Sequence, residues 1–115
     1  MPAFYTKTGV GTSIAEGKPT AVFDGNTYLQ ERAITVDIGL VHAHTADTSG
    51  NLRFRLAARN FNPVAAMCAR TTFAEAENLV GLGELLPDDV HTPGVFVDYV
   101  MAAHTPNVIE KVVNR

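Results

Sequence analysis

Two short runs, Thr20 to Phe23 and Tyr28 to Arg32, flank Asp24-Gly25-Asn26. An Asp-Gly pair supplies the positive-φ positions of a tight reversal, so these runs are expected to pair as a β-hairpin. Val36 to Ala43 is apolar on both parities, through Val36, Ile38, Leu40, Val41 and Ala43. That pattern predicts a strand covered on both faces, as in a parallel sheet. Asp47 to Asn51 reads as a turn centred on Ser49-Gly50. Beyond it Leu52, Phe54 and Leu56 alternate with Arg53, Arg55 and Ala57, the pattern of a strand with one wet face.

Asn62-Pro63 has the form of a helix start, because Asn caps the first free amides and proline at the first position has none to lose. A helix over Pro63 to Ala69 burying Val64, Met67 and Cys68 is expected. Over Thr71 to Val80 the residues are divided. Phe73, Glu77 and Val80 share a helical face, whereas Thr71 and Thr72 favour a strand. The local pattern leans to helix. Leu85 to Asp89 and Thr92 to Gly94 are turns, and Val95 to Val100 is a β-branched and aromatic strand. Met1 to Gly17, with Gly9, Gly11 and Gly17, reads as an irregular loop. Pro106 to Arg115 has the look of an amphipathic tail.

At 115 residues the chain is one domain at most. Its 46% apolar and 18% charged content is that of a globular protein. A formal charge of −3 argues against sequence-independent nucleic-acid binding, which needs a basic face. It also gives no support for an anchor to acidic membranes. The single cysteine, Cys68, has no internal partner for a disulfide, and no charged-then-apolar leader opens the chain, so the cytoplasm is the expected location.

His42 and His44 share a strand face, but no cysteine or HExxH motif accompanies them, so no metal site is expected. His91 and His104 stand alone and read as turn or surface residues. Cys68, among Ala and Met, reads as a small core residue. Gly9-Val10-Gly11 lacks both the third glycine of a dinucleotide fingerprint and the Gly-Lys-Ser/Thr of a P-loop. It marks a tight backbone path, one that can lie close to a ligand. Arg53, Arg55 and Arg59 gather positive charge in an acidic chain. They are either a solvated strand face or a place for a phosphate-bearing ligand. No pairing in the sequence promotes Glu16, Glu75, Glu77 or Glu84 to nucleophile or base.

Three stretches, in order and at consistent spacing, carry a family resemblance from Pro2 to about Tyr99. They are Pro2 to Thr12 (PAFYTKTGVGT) with Ala15 to Lys18 (AEGK), Ala46 to Leu52 (ADTSGNL) running on to Ala58 to Pro63 (ARNFNP), and Glu84 to Gly94 (ELLPDDVHTPG) followed by Val95 to Asp98. The chain resembles the C-terminal half of the A-type subunit of 3-oxoacid CoA-transferases, and residues 1–115 are read as that part of it. The resemblance implies an α/β fold with an open, mainly parallel sheet, shared with certain sugar-phosphate isomerases, incomplete here and carrying a hairpin near its N-terminus. It also implies that Thr71 to Ala76 is a strand, against the local lean.

The implied reaction moves CoA from an acyl-CoA donor to a carboxylic acid acceptor by ping-pong covalent catalysis on a glutamate. That glutamate lies in the separate B-type subunit, whose motif is absent here, so no catalytic residue and no metal is assigned to this chain. Coenzyme A enters as substrate, and no cofactor is implied. The expected partners, in an oligomer, are the B-type subunit of the transferase together with the N-terminal half of the A-type one. Phe4, Tyr5, Thr8, Gly9 and Gly11, with Arg59, Asn60 and Asn62, are expected on the substrate side. Packing and capping are the competing roles for Phe4, Asn60 and Phe61. The alternative function is a non-catalytic assembly or binding module, and a free-standing isomerase-like enzyme is a third reading.

Overall fold

The computed structural model describes residues 1–104 and divides the chain into two compact units, Met1–Thr35 and Val36–Arg115. The tail expected over Pro106 to Arg115 lies outside the described residues.

In the first unit β2 (Thr20–Phe23) and β3 (Asn26–Arg32) form the predicted hairpin, with Phe23 opposite Asn26. Asp24 and Gly25 turn the corner at φ 48° and 74°, the left-handed values that suit the right-handed twist of the strands. The segment expected to be wholly irregular contains a strand, β1 (Ala3–Thr6), antiparallel to β3 from Ala3↔Arg32 to Thr6↔Leu29. The glycines that suggested a loop all come after it. Leu29 is fully buried at the centre of this three-stranded sheet.

The second unit is an open four-stranded sheet in the order β5-β4-β6-β7. Its strands are β4 (Val36–Asp47), β5 (Leu52–Arg53), β6 (Ala69–Val80) and β7 (Tyr99–Ala102). A helix, α1 (Ala58–Cys68), connects β4 and β5 to β6. β4 pairs parallel with β6 and β6 with β7, while the β4–β5 pair is antiparallel. The sheet is therefore mixed and mainly parallel, which bears out the α/β class.

One face of the sheet carries the core. Val41, Ala43, Ala74 and Ala76 are buried there with Ala66 of α1, Leu52 and Phe54, and Val97 and Val100 pack against them. Small residues dominate because α1 lies very close to β4. A Cβ at Gly39 would stand 2.8 Å from Ala69 Cβ and 3.0 Å from Ala65 O. This closeness explains which residues are buried. The segment after α1 is a strand, as the resemblance implied, and it buries Thr72, Ala74 and Ala76 rather than the bulky Phe73. Likewise α1 buries Ala66, leaving Val64 and Met67 exposed and Cys68 half-buried.

The helix also starts earlier than Asn62. Backbone amides of Ala58, Arg59 and Asn60 donate to the carbonyls of Arg55, Leu56 and Ala57, so the first turn needs no side-chain cap. Pro63 falls inside the helix, where it offers no N–H to the turn before it. The strand expected from Leu52 to Leu56 stops at Arg53. Leu52 and Phe54 are buried, but Leu56 is 86% exposed at φ 52° and swings the chain into α1. The strand expected over Val95 to Val100 comes later, at Tyr99–Ala102, after a 3-10 turn over Gly94–Phe96.

The other sheet face is apolar toward the amino-terminal ends of β4 and β6 and polar beyond, where His42 pairs with Glu75. Ile38 and Leu40 of β4 pair with Thr71 and Phe73 of β6, and Phe73 with Tyr99, so their side chains share this face. Phe73 stacks on Tyr99 at 4.8 Å, while Ile38, Leu40, Tyr99 and Met101 are exposed. Coverage of both faces of β4 was expected. Within the second unit, among the described residues, only one face is covered.

Candidate functional site

The Gly9-Val10-Gly11 path of the first unit is tight, with φ 86° and 77° at its glycines. Thr12 Oγ1 and N–H both donate to Gly9 O, at 2.6 and 3.1 Å, and the Thr8 N–H donates to Thr6 Oγ1. A Cβ at Gly9 would meet Ile14 Cγ2 at 3.2 Å. Phe4 and Tyr5 point to opposite faces of β1. Tyr5 packs edge-to-face on Phe23 at 5.3 Å, and Phe4 is half exposed beside Glu31.

In the second unit the candidates converge on the corner between β5 and α1. The αL turn at Leu56 separates two hollows that share Arg55 and Leu56. The first, about 310 Å³, is lined further by His42, His44, Ala58 and Glu77. The second, about 450 Å³, is lined further by Arg53, Phe54, Arg59, Asp89 and His91. Asn62 serves as a pin. Its Oδ1 accepts from the His42 N–H at 3.1 Å, and its Nδ2 donates to Ala58 O at 2.8 Å, tying the first turn of α1 to β4. Asn60 is exposed on that same turn.

His91, read from the sequence as a turn or surface residue, lies in the wall of the second hollow and is held there. Its N–H donates to Leu52 O at 2.9 Å, its Nδ1 accepts from the Phe54 N–H at 3.0 Å, and its ring stacks on Phe54. Because Nδ1 is an acceptor, the proton of the neutral ring sits on Nε2. Burial lowers the His91 pKa below its ordinary value, helped by the positive charges of Arg59 and Arg53 and opposed by Asp89. Only the long-range pairing of Leu52 with Thr92 brings His91 to the arginines, and the residues around it carried no sign of that bridge.

The lowered pKa sets the direction in which stability should change with pH. The unfolded chain binds the proton more readily than the folded one, so stability is full above about pH 6.5 and falls as pH drops through the folded value. Urea midpoints measured between pH 8 and pH 5 should decline, and His91→Gln should decline less. Equal slopes for the two proteins would refute this role for His91.

A mixed, mainly parallel sheet, with the first hollow beside His42 and His44 of β4 and Glu77 of β6, defines an α/β protein of the open-sheet class. The coenzyme A transferase family model matches residues 1–103, and the chain belongs to that family. It is 57% identical over 112 residues to the A-type subunit of a probable succinyl-CoA:3-ketoacid coenzyme A transferase from Bacillus subtilis, covering 96% of this chain and 47% of that one. It is 48% identical over 103 residues to the alpha subunit of the Escherichia coli acetate CoA-transferase, covering 90% and 47%. Among solved structures, glutaconate coenzyme A-transferase from Acidaminococcus fermentans shares the fold, with a TM-score of 0.76 at 19% identity over 90% of this chain and 39% of that one. The chain spans about half the length of the curated relatives it matches. Among the described residues, no helix is long and apolar enough to cross a membrane.

Proposed function

We propose that the chain is part of the A-type subunit of a CoA-transferase that moves CoA from an acyl-CoA to a 3-oxo acid, with succinyl-CoA as the donor class. The observation that carries this reading is the 57% identity to the Bacillus subtilis relative across nearly the whole chain. In this reaction a glutamate carboxylate, supplied by a separate B-type subunit, attacks the acyl-CoA to form an acyl-glutamyl anhydride and expel CoA thiolate. The thiolate then attacks the glutamyl carbonyl, releasing the donor acid and leaving CoA on the enzyme as a thioester. The enzyme-bound CoA thioester then passes CoA to the acceptor acid. On this reading two separate segments are substrate-side candidates: Phe4 and Tyr5 of β1 with Thr8, Gly9 and Gly11 after it, and, in the second unit, Arg59, Asn60 and Asn62. Its single cysteine favours a reducing, cytoplasmic setting.

The open sheet face with Ile38, Leu40, Tyr99 and Met101 supports a need for partners, since so apolar a surface is stabilised when covered. We assign its cover to a polypeptide equivalent to the remaining half of the longer relatives.

The test is complementation. The purified chain should show no transfer from succinyl-CoA to acetoacetate, and should associate with itself or another polypeptide at micromolar concentration. Adding the remaining half of the Bacillus subtilis relative, together with its B-type counterpart, should bring ping-pong turnover. Turnover by the chain alone, or none in the complemented mixture, would overturn the assignment. A monodisperse monomer by light scattering would overturn the partner requirement.

A further inference from the structure

The second hollow of the Leu56 corner brings Arg53, Arg55 and Arg59 together around a single cavity, although the chain as a whole carries a net charge of −3. Guanidinium groups on protein surfaces commonly sit beside carboxylates. Here, among the described residues, the ion pairs are Lys18–Glu31 and Arg70–Asp37, and none of the three arginines makes an ion pair or a side-chain hydrogen bond. Asp89 is the one carboxylate in the cavity wall, so the lining carries more positive than negative charge. His91 adds a neutral donor, because its Nδ1 is taken by the Phe54 N–H and its proton is left on Nε2. The ring is held in place by stacking on Phe54. The corner that shapes the cavity is the left-handed turn at Leu56.

The geometry points to this cavity as an oxyanion-binding site for the substrate, formed by Arg53, Arg55 and Arg59 with His91 as a fixed donor. Planar guanidinium forks match the oxygen spacing of phosphate and carboxylate and bind them through two parallel hydrogen bonds. A volume of about 450 Å³ holds an anionic group together with part of the molecule that bears it. The choice of ligand rests on the transferase reading, in which two sources offer that chemistry: the phosphates of the coenzyme and the carboxylate of the acid. The binding of an oxyanion by the chain does not rest on it.

The experiment titrates the full chain with adenosine 3′,5′-bisphosphate and, separately, with succinate, by calorimetry and by the ring-proton signals of His91. Saturable binding of either probe is expected, weakened about tenfold by Arg53→Gln and by Arg59→Gln. Arg70→Gln, which removes an exposed arginine outside the cavity, should leave it unchanged. Bound anion should also move the His91 titration upward, because it offsets the charge of the arginines. Preference for the bisphosphate assigns the site to the coenzyme, and preference for succinate assigns it to the acid. If neither probe binds, or the three variants weaken binding equally, the proposal falls. Binding without turnover in the complemented mixture would remove the transferase reading and leave the site standing. Turnover with an unchanged KM in the Arg53→Gln and Arg59→Gln variants would do the reverse.

Discussion

Gly94→Ala is expected to destabilise the chain by about 3 kcal/mol or more, since the new methyl has nowhere to go. Its Cβ would overlap the carbonyl oxygen of Ser49 and lie 3.1 Å from Ser49 C and 3.2 Å from Gly50 C. All of these are backbone atoms, which move only with the turn they belong to. On the other side of the contact, a Cβ at Gly50 would stand 3.3 Å from Val97 Cβ. For a domain near this size, such a loss lowers the thermal midpoint by roughly 12 °C or more. Circular dichroism on heating measures it directly. A midpoint within about 2 °C of the parent would mean that the turn yields freely, contrary to the packing described.

A comparable loss, about 3 kcal/mol, is expected for Asp47→Ala. Asp47, a residue only 2% exposed, closes β4. Its Oδ1 accepts from the N–H groups of Ser49 and Asn51 at 2.9 and 3.0 Å, and its Oδ2 accepts from Asn51 Nδ2 at 2.8 Å. Removing it leaves these donors without that acceptor in a partly buried turn, and unmade hydrogen bonds cost more than made ones contribute. Asp47→Asn keeps one acceptor oxygen but turns a donor toward a donor, so it should fall between the parent and alanine. Urea unfolding of the three proteins checks the order. An alanine variant as stable as the parent would contradict the role given to the carboxylate.

Both substitutions act on the same brace. Asn51, held by Asp47, accepts from the Gly94 N–H through its Oδ1 at 2.9 Å. Next to it, Leu52 exchanges backbone hydrogen bonds with His91 and Thr92. The turn after β4 thus fixes the segment that carries His91 beside the arginines. The two losses should not add in a double variant, because they break one connected network.

Features that depend on neighbours along the chain were legible in the residues. Asp24-Gly25 dictates the hairpin, since few other pairs tolerate two successive left-handed residues. Asp47 to Asn51 dictates a turn for a similar reason, and the β-branched and apolar run from Val36 dictates a strand. The ordered family stretches made the α/β class and the family legible, and they put Thr71 to Ala76 in a strand where the local pattern leaned to helix. The tertiary structure alone decided which residues are inside. α1 sits so close to Gly39 that small residues face the contact, with Ala66 buried and the larger Val64 and Met67 left exposed, while strand alternation turns Phe73 to the other face. Apolar size along the chain therefore misreported the core. The gathering of Arg53, Arg55, Arg59 and His91 had the same origin. It depends on a backbone bridge between Leu52 and Thr92, far apart in the chain, whose hydrogen bonds involve no side chain and so leave no mark on residue type.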